Sequence, residues 1–115
     1  MDEVIRKVAS LGLPGVLLAI AIATTGFAGG AALTTALATL GGPFGMIGGI
    51  ALLGIAGVVA DAIAKIGIEN FLIRVYCQRR NNEPHHTLLA EISRLPISTG
   101  LKNTLELVIR EGRGC

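Results

Sequence analysis

Between Val8 and Ala60 the chain has no Lys, Arg, Asp, Glu or His. A membrane span needs roughly 20 mostly apolar residues in a helix. Residues 8–60 thus offer two spans and a turn, and more apolar surface than one helix uses. Tryptophan is also missing, so there is no strong aromatic belt of the kind that fixes constitutive membrane proteins at the lipid–water boundary. The few aromatics (Phe27, Phe44, Phe71, Tyr76) give no platform on which bases stack. Charge is scarce as well: 16% of residues carry one, against ~25% in an average globular chain. A net charge of +2, with its basic residues scattered, excludes a nucleic-acid footprint. Two cysteines, Cys77 and Cys115, make no disulfide framework, and the reading is two reduced cytosolic thiols.

Catalytic signals are lacking too. The sequence has no phosphate-binding G-x-x-x-x-G-K-[ST] loop, no Ser-His-Asp set in a workable frame and no carboxylate pair in a polar pocket. Neither an enzyme nor a cofactor is expected. His85 and His86 are adjacent, point in different directions on a helix, and match no metal-ligand spacing with Cys77. They read as solvated polar residues.

What is present is glycine, alanine and helical periodicity. The fold class expected is all-α: a membrane-type helical hairpin with glycine-zipper packing, followed by an interfacial helix and a small C-terminal helical hairpin. The boundaries are residues 1–10 for a short amphipathic N-terminal helix, 11–60 for the Gly/Ala-rich hairpin, 61–80 for the interfacial helix and 81–115 for the C-terminal pair. In the first, Val4, Ile5 and Val8 share one side. Pro14 suits the first turn of a new helix, where its missing N–H costs nothing. Thr24 and Thr25 can bond back to carbonyls one turn earlier. Gly41, Gly42 and Pro43 mark the hairpin turn.

In the second arm Gly41, Gly45 and Gly49 recur every fourth residue. Gly48 falls on that side of the helix, while Gly54 and Gly57 fall roughly opposite. In lipid, helices associate by close approach at small residues. One glycine face therefore accepts the first arm and the other a second copy, with Ala32 and Ala36 as further contacts. A homo-oligomer in membrane lipid is the expectation. Such a Gly/Ala-rich segment is only modestly lipophilic, so it suits a form that is masked until triggered.

Beyond Ala60, Asp61, Lys65 and Glu69 are spaced for a charge ladder along one helix face. A carboxylate late in the second helix of a Gly/Ala-rich hairpin resembles the proton-carrying subunit of rotary ATP synthases. Lys65 one turn away favours an ion pair instead. Arg74, Arg79 and Arg80 read as basic residues at the membrane edge. With no basic residue at the turn, both termini are expected in the cytoplasm. Leu88, Leu89, Ile92 and Leu95 line a short helix ended by Pro96. Ser98 or Thr99 caps another, whose face of Leu101, Leu105, Val108 and Ile109 is available to the first segment or to a partner protein.

The run at 24–57, with Gly26-Phe27-Ala28-Gly29 and then Gly41-Gly42, resembles the Gly/Ala-rich core of the small interferon-inducible membrane proteins, which combine a G-F-x-G start with a GG-punctuated second run. The resemblance implies an immune or cell-death role exerted through membranes, and carries over no catalytic residue. The functional expectation is a small membrane protein that self-associates through glycine faces and perturbs or permeabilises a bilayer. The alternative is a passive anchor or scaffold that recruits a partner through its C-terminal helices; a proton-carrying ring subunit or a lipid-free filament stands behind both.

Overall fold

The computed structural model describes residues 2–25 and 57–115, and these are all-helical. Six helices follow in order: α1 (Asp2–Leu11), α2 (Leu13–Thr25), α3 (57–66), α4 (Ile68–Arg79), α5 (His85–Arg94) and α6 (Thr99–Glu111). Of the glycine-packing residues, Gly41, Gly45, Gly48, Gly49, Gly54, Ala32 and Ala36 lie outside the described residues, as do the turn at Gly41-Gly42-Pro43 and Gly26-Phe27-Ala28-Gly29.

α4 is the helix around which the others pack. It touches α1, α2 and α6, and α6 in turn holds α5. Its spacing explains this role. Phe71, Leu72, Val75 and Tyr76 recur at three and four residues and all four are fully buried. From α1 come Ile5 and Val8, from α5 Leu88 and Ile92, and from α6 Leu101, Leu105, Val108 and Ile109. The last four are the face that sequence left open to the first segment or to a partner. They are buried in the protein's own core, so the C-terminal pair folds back on the chain.

α1 carries Asp2 and Glu3 in its first turn, where carboxylates complement the helix dipole. It stops at Gly12, whose φ of 70° reverses the chain, and α2 leaves at 119° to α1. Pro14 sits in the first turn of α2, as expected. Gly15 lets the two helices close up, since a Cβ there would meet the Val8 carbonyl oxygen at 2.6 Å. α2 is apolar on every side and is used as core, with Val16, Leu18, Ala19, Ile20 and Ile22 at most 6% exposed. The Thr24 hydroxyl donates to the Ile20 carbonyl at 2.8 Å. No single helix among the described residues is long and apolar enough to cross a membrane; only α1 and α2 together, bent at Gly12, reach that length and composition.

The expected continuous helix over 61–80 is broken. Gly67 takes φ 83°, ψ 157°, a conformation open almost only to glycine, and it separates α3 from α4. The charge ladder is cut at the same place. Asp61 and Lys65 pair at 3.1 Å on α3, with both side chains about two-thirds exposed, while Glu69 begins the next helix. At the C-terminal end the expected signals operate. The Ser98 hydroxyl accepts from the Leu101 N–H at 3.2 Å, and Gly112 closes α6 in the left-handed region with its N–H on the Val108 carbonyl.

Cys77 and Cys115 are joined in a disulfide, Cα–Cα 5.5 Å, which corrects the reading of two reduced thiols. Thirty-eight positions separate them in sequence, and only the return of α6 along α4 brings them together.

Candidate functional site

The most organised polar cluster lies where α4 gives way to α5. Arg79 is the last residue of α4 and follows the buried Val75 and Tyr76 by four and three positions, so it falls on the inward face. Its side chain is 3% exposed. The chain then turns, with the N–H groups of Asn82 and Glu83 both donating to the Arg79 carbonyl, and this brings Glu83 back over the guanidinium. Pro84 opens α5, and Glu91, two turns on, faces the same group.

The resulting geometry is dense. Arg79 Nε donates to Glu83 Oε2 at 2.6 Å, and Nη2 to Glu83 Oε1 at 3.0 Å. Nη2 also donates to Glu91 Oε1 at 3.0 Å, and Nη1 to Glu91 Oε2. The Tyr76 hydroxyl donates to Glu91 Oε2 at 2.6 Å, and the Arg79 guanidinium carbon stands 5.3 Å from the centre of the Tyr76 ring. Among the described residues no buried side-chain nitrogen or oxygen lacks a hydrogen-bond partner.

The electrostatics follow from this arrangement. Burial pulls the Arg79 guanidinium down, but the hydrogen bonds to Glu83 and Glu91 outweigh it and leave the group above its ordinary value. Burial, and then the hydrogen bond to Glu91, push the Tyr76 phenol far up, so it stays protonated. The hydrogen bonds from Arg79 hold the Glu83 carboxyl below its ordinary value, against a smaller opposing push from partial burial. A permanently protonated guanidinium clamped by two carboxylates, with a phenol locked as donor, holds two helices in register. Neither the phenol nor the guanidinium is available to take up a proton.

Sequence placed Arg79 with Arg74 and Arg80 as basic residues at the membrane edge. The structure divides the three. Arg74 is exposed on α4, Arg79 is buried in the cluster, and Arg80 reaches across to the Ile109 carbonyl at 3.2 Å and 3.3 Å from Nη2 and Nε. Of the glycine faces only Gly57 is described; it is exposed at the start of α3, with nothing within 4 Å of where a Cβ would stand. His85 and His86 are exposed in the first turn of α5. Sequence reading missed Tyr76, Glu83 and Glu91. The spacing of Arg79 and Glu83 was visible, but a glutamate inside Asn-Asn-Glu-Pro reads as linker.

A second feature surrounds the disulfide. An open groove of about 600 Å³ runs between α1 and α4, lined by Asp2, Ile5, Arg6, Arg74 and Gln78, with Cys77 and Cys115 in its wall. Comparison with protein-family models, with curated proteins and with solved structures returns no match.

Proposed function

We propose that this chain is a small membrane-active protein whose helical head keeps the entry to its neutral stretch masked until it meets a bilayer. One observation carries the reading: α2, the first helix of the uncharged run, has Val16, Leu18, Ala19, Ile20 and Ile22 packed inside the head, against partners that bear charges on their outer faces. Burying each Val, Leu or Ile among them contributes ~1.5–3 kcal/mol in water, and lipid offers them a similar refuge. The two environments therefore compete for the same helix. The glycine spacing at 41–57 supports self-association once lipid has been entered, and the resemblance to the interferon-inducible proteins supports a defence or cell-death setting.

α1 and residues 114–115 line one groove, so both lie on the same side of any bilayer the neutral stretch enters. Positive charge at the two outer ends favours the cytoplasm for them, whereas disulfides persist in oxidising compartments. The bond is the stronger constraint and supports a head on an oxidising side.

Release of a trapped dye from liposomes tests the proposal. The purified chain is expected to bind vesicles and empty them. Binding without release would replace it with the passive-anchor reading, and failure to float with vesicles on a density gradient would overturn both.

A further inference from the structure

The Cys77–Cys115 disulfide sits at the wall of an open groove instead of inside the core. Cys77 is half-buried on α4, and Cys115 is exposed in the non-helical tail after Gly112. Two guanidinium-bearing residues, Arg6 from α1 and Arg74 from α4, line the same groove, with Asp2 as the acidic residue among the groove's lining. Disulfide reduction requires a thiolate to reach one sulfur and the other sulfur to leave as a thiolate; neighbouring positive charge favours both.

The tail is also attached independently of the bond. Gly112 closes α6 through its N–H, and Arg80 holds the Ile109 carbonyl from α4. Gly114 lies against Ile73, where a Cβ would stand 2.9 Å from the Ile73 methyl carbon. Opening the disulfide therefore removes the covalent tie to α4 without detaching α6.

We infer that Cys77–Cys115 is a thiol–disulfide exchange site, opened in the folded protein by a dithiol reductant that enters the groove between α1 and α4. One thiolate of the reductant attacks Cys115 Sγ and Cys77 leaves as the thiolate, giving a mixed disulfide. The second thiolate of the reductant then attacks its own sulfur in that mixed disulfide and releases Cys115. Two electrons pass to the protein, which takes up two protons as two thiols, and the reductant ends as its cyclic disulfide. The inference concerns the head alone and needs no lipid, so it stands or falls separately from membrane activity.

The experiment uses the oxidised full chain in mild detergent with dithiothreitol as probe, quenched with iodoacetamide and read by intact mass. Reduction without denaturant is expected within about tenfold of the rate in denaturant, with far-ultraviolet circular dichroism unchanged. A native rate that instead matches global unfolding overturns the inference. With glutathione, which has a single thiol, peptide mapping is expected to find the mixed disulfide on Cys115; an adduct on Cys77 overturns the order of attack. Replacing Arg6 and Arg74 together with Gln (R6Q/R74Q) is expected to slow native reduction severalfold while leaving the denatured rate alone. An unchanged native rate overturns the role of the two arginines.

Discussion

Glu91 accepts hydrogen bonds through both carboxylate oxygens from the Arg79 guanidinium and, through Oε2, a third from the Tyr76 hydroxyl. One carboxylate on α5 thus closes over two side chains of α4, and it is the shared acceptor that keeps a buried arginine tolerable. A buried ion pair is weak grounds for stability as such, because desolvation offsets much of the attraction. Removing one partner is another matter, since it leaves a charge buried without its counterpart.

Arg79→Ala, which takes the counterion from both carboxylates, is accordingly expected to destabilise the fold by about 3–5 kcal/mol, and Glu91→Ala by less, because Glu83 still pairs with Arg79. Tyr76→Phe removes one donor but keeps the ion pairs, and should cost only ~1 kcal/mol. Urea unfolding of the three variants followed by circular dichroism measures the ranking. A Tyr76→Phe loss equal to that of Glu91→Ala would show that the phenol, not the charge pairing, is the centre of the cluster.

The same cluster sets two pH limits. Glu83 titrates lower in the folded protein than in the unfolded chain, so the unfolded chain binds more protons as acid is added. Its contribution is complete above the ordinary glutamate value of about 4.5 and is lost as pH falls through the depressed folded value. Tyr76 runs the other way. Its protonated form is favoured on folding, so its contribution is complete below the ordinary value of about 10 and declines as pH rises beyond it. Melting temperature against pH should fall at both ends, and Tyr76→Phe should flatten the alkaline limb while leaving the acid limb in place.

Gly67 holds α3 and α4 apart with a backbone conformation that other residues reach only under strain. Gly67→Ala is expected to cost about 1–3 kcal/mol, although nothing lies within 4 Å of the added methyl. Gly100→Ala makes a fair control, because it too meets nothing and sits within the first turn of α6. Thermal melts of the two variants should differ clearly; equal melts would mean that the joint relaxes into a continuous helix.

Cutting the covalent tie gives another measurable outcome. A disulfide closing a loop of this length contributes about 2–4 kcal/mol, chiefly by restricting the unfolded chain. Cys77→Ser with Cys115→Ser should lower the urea midpoint by that equivalent without altering helix content. A change in helix content would show that the bond shapes α6 as well as holding its tail.

The helices of the head were readable in sequence because their apolar residues repeat at three and four positions, and because Ser98 and Gly112 carry recognisable end chemistry. The resulting amphipathic faces at Ile5–Val8, Leu88–Ile92 and Leu101–Ile109 are the ones that are buried. The cluster was not readable. An arginine in a run with Arg80 signals surface, and only the fold shows that its position follows Val75 and Tyr76 inward. Glu91 meets it across a turn whose path no periodicity specifies. The break at Gly67 was hidden for a different reason: a single glycine in an apolar helix is tolerable, and its positive φ is a tertiary choice. The cysteine pair posed a similar problem, since spacing alone cannot say that two distant thiols will meet.

Ile22 near the end of α2 and Val59 near the start of α3 belong to one buried cluster. The described parts of the neutral stretch, before and after residues 26–56, are thus rooted in a common foundation. Mechanically this makes the head a clasp, since the residues before and after 26–56 share one set of buried side chains.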